Sequence, residues 1–324
     1  MNNNRSKLKG NISLVVIAGI VTTALAGSYF YLDHLADSRA TETMTSLVTE
    51  AESKGMTLSY SYVDTSPLTQ TVKISNFTIT GNEQEPNIRL GNVEMKGFSW
   101  QDLNNNQNKL PAEMSIDVKN GELHIKKSMT ETNTELQALV RIYGDTIPFS
   151  SNVSYKLDPL QNLLQLSLTQ AVEESFFFNA EVKLGNVEWL TTVDRQQTQM
   201  PAQAMAAAMN STLNNLSLTY KNTGLIEKIR ADISTQTGKT NEQLTEQSIA
   251  QLKQLQMAFD QQWGPVFTPF LDEMIKFSSE PKQLKLGIEP LQPLTGQDFM
   301  MAFMGGEASL IKFIEDAKIR LKAN

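Results

Sequence analysis

Cysteine is absent from this sequence of 324 residues. Its absence excludes a disulfide framework, a thiol nucleophile, a Cys-ligated zinc site and an iron–sulfur cluster. It also excludes a lipoprotein anchor, which requires a cysteine at the processing site. An oxidising compartment permits disulfides but does not require them, so export stays open. We expect the fold to be stabilised by packing alone.

Histidine is nearly absent, with only His34 and His124 present. A metal site needs three or four convergent ligands, and a hydrolase triad needs a serine and an acid around the imidazole. His124 is expected on the solvated face of a strand, beside Glu122 and Lys126. Gly238-Lys239-Thr240 lacks the upstream glycine of a phosphate-binding loop and is predicted to end one helix and cap the next. We therefore predict no catalytic residue, no metal site and no cofactor.

Clustered positive charge is also lacking. The chain has 28 basic and 35 acidic residues, a net charge of -7, and its Lys and Arg residues are scattered. A nucleic-acid surface needs grouped cations to displace counterions, so no nucleic-acid partner is predicted. Hydrophobic residues make up 40% and charged residues 19%, which is typical of a folded chain.

One long segment has no charge at all, residues 12–32. As a helix it would be about 31 Å long, the thickness of a bilayer's hydrocarbon core. Arg5, Lys7 and Lys9 precede it, so the positive-inside rule predicts a cytoplasmic tail over residues 1–11. A retained transmembrane signal anchor is favoured, and a signal peptide cleaved after Ala26 is the alternative. The expected location is the bacterial inner membrane, crossed once, with the body in the periplasm.

The rest of the chain predicts an α+β fold. A polar helical stalk is expected over residues 33–55. Residues 56–200 alternate apolar and polar side chains and predict an antiparallel β-rich region, one or more curved sheets with one solvated face. Phase slips at Ser75-Asn76 and Gly91-Asn92 predict bulges or bends. Residues 201–324 predict an α+β region that is mainly helical, ending in a helix that carries Leu310, Ile314, Ala317 and Leu321 on one face.

A weak internal repeat joins two parts of the β-rich region. Arg89-Leu-Gly-Asn-Val-Glu94 recurs as Lys183-Leu-Gly-Asn-Val-Glu188. A structural duplication, a shared strand–bulge device and chance coincidence all stay open, and two copies are too few for a solenoid.

The longest apolar strand face in the chain carries Phe176, Phe178, Val182 and Leu184. A sheet with such faces must cover them with helices or leave a groove, and alternation fits both arrangements. These four residues are therefore the candidate apolar-ligand surface. Fourteen methionines, among them Met300, Met301 and Met304, suit either a core or an adaptable binding surface.

The ends of the exported part resemble a known family. Gly55-Met-Thr-Leu-Ser-Tyr60 opens the first predicted strand, and Leu294-Thr-Gly-Gln-Asp-Phe299, followed by Phe303, comes after a late strand. With the N-terminal helix, the stalk and the amphipathic strands, these segments resemble the YdgA-like envelope proteins of proteobacteria and, more distantly, AsmA-like proteins. The resemblance implies inner-membrane anchoring, a periplasmic β-rich body and no established enzymatic activity. AsmA-like proteins are associated with lipid movement through an apolar β-groove.

These observations predict a membrane-anchored envelope protein of non-catalytic type, which binds a partner or maintains the envelope. The expected partners are the lipid membrane and either another envelope protein or phospholipid. A lipid-binding or apolar-ligand-binding module with a β-groove is the first alternative. A hydrolase is the second.

Overall fold

The computed structural model describes residues 56–66, 70–81, 85–97, 111–131, 133–192 and 209–324, together with residues 48, 49, 52 and 207. The strands are β1 (Thr57–Ser59), β2 (Tyr62–Ser66), β3 (Thr71–Thr80), β4 (Asn87–Lys96), β5 (Glu113–His124), β6 (Thr146–Asp158), β7 (Leu163–Val172), β8 (Phe176–Gly185), β9 (Thr212–Asn222), β10 (Gln283–Ile288), β11 (Leu294–Thr295) and β12 (Ile319–Ala323). The helices are α1 (Lys127–Thr130), α2 (Thr134–Tyr143), α3 (Trp189–Thr192), α4 (Leu225–Thr237), α5 (Asn241–Trp263), α6 (Thr268–Ser279), α7 (Gly296–Met304) and α8 (Glu307–Asp316), and a 3₁₀ turn (Gly264–Phe267) joins α5 to α6.

The predicted anchor at residues 12–32, the preceding tail and most of the predicted stalk lie outside the described residues. Residues 48, 49 and 52 of the stalk are described and are helical. Among all described residues, no helix is both long and apolar enough to cross a bilayer.

One large antiparallel sheet organises the described chain. Its strands lie in the order β1-β3-β4-β5-β6-β7-β8-β9-β10-β12, with β2 also paired to β3 and β11 to β9. From β3 to β10 each strand therefore pairs with the next strand in sequence, although helices lie in the β5–β6, β8–β9 and β9–β10 connections. Strands β8 and β9 pair along their whole lengths, so the sheet continues across residue 200, where the two regions of the predicted α+β fold meet.

One face of this sheet is mainly apolar, with Ser151, Gln170 and Asn222 among its polar exceptions. In β8 the alternate positions Phe176 to Leu184 lie opposite Val172 to Leu164 of β7 on one side and Asn222 to Leu213 of β9 on the other. The other face carries polar rows such as Ser154, Ser167 and Glu181. The predicted alternation is confirmed, because successive side chains of a strand point to opposite faces.

Helices cover the two ends of the apolar face. Leu136 of α2 and Leu225 of α4 pack on the larger core, which holds Val72, Met95 and Phe149 of β3, β4 and β6. A smaller core surrounds Ile288, Leu294 and Ala317 and is covered by Phe299 of α7 and Phe313 of α8. A third cluster (Leu157, Leu164 and Val187) lies under Leu190 of α3.

A bend runs across the three strands β3, β4 and β5, where the apolar phase slips. Asn76 in β3 and Asn120 in β5 have positive φ angles of 51° and 55°. Gly91 lies between them, and a Cβ there would lie 2.8 Å from the Asn120 Cβ and 2.9 Å from its carbonyl oxygen. The bends predicted at Ser75-Asn76 and Gly91-Asn92 are confirmed. Inward positions are three apart at this line, at Ile74 and Phe77 and at Leu90 and Val93.

The prediction for the C-terminus is wrong in one part. The last helix ends at Asp316, and Leu321 lies in β12, paired with Leu286 of β10. Lys318 reverses the chain with a φ angle of 47°. Ile319, Leu321 and Ala323 then alternate inward as in a strand. Over so few residues the spacing of apolar side chains does not distinguish a strand from the end of a helix.

The two copies of the six-residue repeat have different conformations. Arg89 to Glu94 lies wholly within β4, with Gly91 at the bend. The second copy leaves β8 at Gly185, and Asn186 has a φ angle of 54°. The shared glycine therefore serves a bend within a strand in one copy and a strand end in the other.

Candidate functional site

The most exposed apolar surface of the described chain is on α7. The helix begins at a capping box, in which the Thr295 hydroxyl accepts from the Asp298 N–H and the Asp298 carboxylate accepts from the Thr295 N–H at 2.7 Å. Hydrogen bonds from the backbone N–H and the hydroxyl of Thr295 lower the pKa of Asp298. Phe299 faces inward and contacts Phe313, with ring centroids 5.1 Å apart, and Ala302 is buried. The cap and these two contacts fix which face of α7 points outward.

That outward face is apolar. Met300 and Met301 are 48% and 59% exposed, and Phe303 and Met304 are 78% and 80% exposed. We call these four residues the Met/Phe surface. Single exposed apolar side chains are ordinary, but four within five helical residues form a patch of the kind that marks an interaction site. Thioethers suit such a site, because they are flexible and polarizable.

The candidate ligand surface on β8 is divided between covered and less covered parts. Phe176 is buried in the larger core, where it stacks on Tyr220 with ring centroids 6.1 Å apart. Phe178 is half-buried beside it. At the other end, Leu184 packs against the cluster under α3. Val182 is half-buried and lies opposite Leu166, which is 37% exposed.

A buried polar cluster lies where the β7–β8 turn meets α4. The fully buried Ser175 hydroxyl accepts a hydrogen bond from the Lys228 ammonium at 3.1 Å. The Ser175 carbonyl accepts from the N–H groups of Thr223 and Leu225 at 2.9 Å each. Lys228 also lies 5.4 Å from the centre of the Tyr143 ring.

A serine beside a lysine is a pairing that some hydrolases use for nucleophile and base. Here the serine has no exposed surface, and its backbone holds the start of α4. The cluster therefore positions the helix that covers the core. Burial, with smaller contributions from Tyr143 and Glu227, raises the pKa of the neighbouring Tyr220 to about 12, so its phenol stays neutral.

His124 lies on the polar face of β5. Its Nδ1 is 2.9 Å from the Thr146 hydroxyl and its Nε2 is 3.2 Å from the Glu122 carboxylate, which also pairs with Arg89 at 3.5 Å. Within the described part of the chain, no three His, Cys, Asp or Glu side chains are placed to hold a metal ion. His34 lies outside the described residues.

Gly238-Lys239-Thr240 has the predicted structural role. Gly238 ends α4 in the left-handed conformation, with a φ angle of 71°, and its N–H reaches the Ser234 carbonyl at 2.8 Å. Thr240 caps α5 in a capping box with Gln243.

Two features of these sites escaped prediction. Ser175 and Lys228 are 53 residues apart, and no local pattern links them. Helical periodicity predicted α7 but not which of its faces would be covered, because residues 299–304 are all apolar and so lie on every side of the helix.

Comparison with known proteins gives one relative that is similar over most of its length, and one family. A protein of Aquifex aeolicus (strain VF5), described as "Uncharacterized protein", is 25% identical over 302 residues, which cover 90% of this chain and 93% of that protein. The profile of a protein family with the description "Uncharacterized protein" matches residues 162–324, from the start of β7 to the C-terminus. Since this match covers half of the chain, the protein belongs to that family.

Proposed function

We propose that this chain is a membrane-tethered protein of the bacterial cell envelope that binds another envelope protein through the Met/Phe surface and does not act as an enzyme. The observation that carries the proposal is the exposure of Phe303 and Met304, 78% and 80%. Leaving two large apolar side chains in water is unfavourable unless a partner covers them, and burying each is worth roughly 1.5–3 kcal/mol.

Charge favours a protein over a bilayer as the partner of α7. Helices that lie on membranes carry Lys and Arg on the polar face, where they meet anionic lipid. Helix α7 has Asp298 and neither Lys nor Arg. Adaptable methionines beside an exposed aromatic ring are typical of surfaces that receive a partner helix.

The tether is part of the same proposal. Residues 12–32 would anchor the chain in the inner membrane, with the body in the periplasm. The uncharged segment, the preceding cations and the resemblance to YdgA-like envelope proteins support this arrangement.

Site-specific photo-crosslinking in living cells tests the partner. A photoreactive phenylalanine analogue at position 303 of the full chain should give one discrete protein adduct. The matched control is position 160, since Leu160 is 96% exposed and lies in the β6–β7 turn, outside α7. An adduct at both positions, or at neither, would contradict the proposal.

Substitution of the Met/Phe surface tests whether the protein needs this surface to function, separately from whether a partner contacts it. Phe303→Ser combined with Met304→Ser should abolish complementation of a deletion strain at an unchanged protein level, and Leu160→Ser should not. His124→Ala with Glu122→Gln should leave complementation intact. Loss of complementation in that second pair, at a normal protein level, would favour an enzyme.

A second candidate function is apolar-ligand or lipid binding on the sheet, favoured by the exposed Leu166 opposite Val182. Lipid analysis of the purified protein tests it. Stoichiometric phospholipid, displaced by Val182→Asp, would support a ligand along Phe176, Phe178, Val182 and Leu184. A lipid-free monomer that binds no hydrophobic dye would exclude it.

A further inference from the structure

A groove lies between α4, α5 and α6. Its volume is about 440 Å³, which is within the range of small-molecule sites. Its apolar lining comes from three helices: Ile226, Ile229 and Ile233 of α4, Leu244 of α5 and Phe277 of α6. The α4 residues recur at i, i+3 and i+7, so they form one stripe along the helix.

The larger core does not include this stripe. Neither α4 nor α5 has a fully buried residue, and Ile233 is 37% exposed. From Ile226 to Thr237 the groove follows α4 for about 17 Å at the helical rise per residue, and Lys239 lies just beyond the end of the helix. The groove is therefore elongated and apolar along one wall.

The charged residues that line the groove are both cations. They are Arg230 and Lys239, and no Asp or Glu is among the described lining residues, although the chain has a net charge of -7. Arg230 donates to the Ser278 carbonyl at 2.7 Å, and Lys239 donates to the Gln247 amide oxygen at 2.6 Å. Both of these acceptors are neutral, so the positive charge at the groove is not balanced by them.

The acids of α4 are engaged elsewhere. Glu227 accepts a hydrogen bond from Asn222 at 2.7 Å. Asp232 forms a two-point ion pair with Arg141 of α2, at 2.8 and 3.1 Å. An apolar stripe that ends in a cation at an exposed mouth is complementary to an anion on an alkyl chain.

We propose that this groove binds a long-chain fatty acid, with the alkyl chain along Ile226, Ile229 and Ile233 and the carboxylate at Lys239. A single chain fits a lining that is one helical stripe wide. The proposal does not depend on the Met/Phe surface, which lies on α7 and is tested by other variants.

Photolabelling of the full chain in its own membranes tests this site. The probe is a palmitic acid with a diazirine near the middle of its chain, and the comparison probe has the same chain with a trimethylammonium head. After irradiation, mass spectrometry should find the fatty-acid label on peptides of α4, α5 or α6 that line the groove. The cationic probe should label them about tenfold less, the factor expected for one lost charge-assisted contact.

Matched variants separate the groove from the general surface. Ile233→Asp and Lys239→Glu should each lower labelling about tenfold. Leu255→Asp and Lys253→Glu are the controls, because Leu255 is 41% exposed on α5 and neither residue lines the groove. Circular dichroism of all four variants identifies any that unfold.

Three results would each contradict the fatty-acid site. These are equal labelling by both probes, labelling confined to other peptides, and equal effects of the groove variants and the control variants. A crosslink at position 303 would persist in Lys239→Glu, so the two proposals fail separately.

Discussion

At the scale of single residues, Gly121 shows how closely the sheet is packed. A Cβ at this position would lie 2.7 Å from the ring of Phe149, which is itself buried in the larger core. Gly121→Ala should therefore destabilise the protein by about 1–3 kcal/mol, the usual cost of overpacking. Gly287→Ala is the matched control in β10, since no described heavy atom lies within 4 Å of its Cβ position. Chemical denaturation of both variants measures the difference, and equal stabilities would contradict the packing argument.

A second residue-scale prediction concerns Asp232, whose carboxylate joins α4 to Arg141 of α2. The hydrogen bond from Arg141 lowers the pKa of Asp232, and one from Gln236 adds to the effect. A lowered folded-state pKa gives stability that is present above the ordinary aspartic acid pKa and is lost as the pH falls through the lowered value. Asp232→Asn should therefore destabilise the protein at neutral pH, and the loss should shrink on acidification.

Thermal unfolding of the parent and Asp232→Asn between pH 3 and pH 7 checks that direction. Arg141→Gln should remove the same pH dependence, since it removes the partner. A loss that grows towards acid pH would mean that Asp232 is not stabilised by this pair.

At the scale of elements, the edge of the sheet at β12 is closed by a side chain of α6. The Glu273 carboxylate accepts a hydrogen bond from the N–H of Ala323, a residue with no exposed surface. Sheet edges that bury an unpaired N–H lose stability, and unpaired edges invite association. Glu273→Ala should cost about 1–3 kcal/mol and speed hydrogen exchange of the Ala323 amide.

The control for Glu273→Ala is a substitution of Lys276, which lies one turn further along α6. Lys276 lies 3.5 Å from the Glu273 carboxylate and its side chain is 51% exposed, so Lys276→Ala should cost less than about 1 kcal/mol. Unchanged exchange of Ala323 in Glu273→Ala would show that the carboxylate does not protect the edge.

At the scale of the whole molecule, the predicted topology leads to one prediction. A reporter that is active only outside the cytoplasm should be active when fused after Asn324, because the cations before residues 12–32 predict that the N-terminus stays inside. The mass of the mature chain then distinguishes an anchor from a signal peptide, since cleavage would remove residues 1–26. Activity of a cytoplasm-only reporter at the same position would contradict export.

The sequence by itself determined the alternating apolar face of the sheet and the bounds of several helices. A strand has a fixed period of two, so Phe176, Phe178, Val182 and Leu184 had to share a face. Capping is equally local, because Thr240 and Thr295 bond to N–H groups three residues away.

Only the tertiary structure decided what lies on each face. Leu321 lies in a strand because residues 319–323 pair with β10. Ser175 contacts Lys228 because the β7–β8 turn packs against the start of α4. Met300, Phe303 and Met304 are exposed because Phe299 and Ala302 occupy the inward side of α7. Such contacts join residues that are far apart in the chain, and which apolar face a neighbour covers depends on where that neighbour packs, which no local pattern encodes.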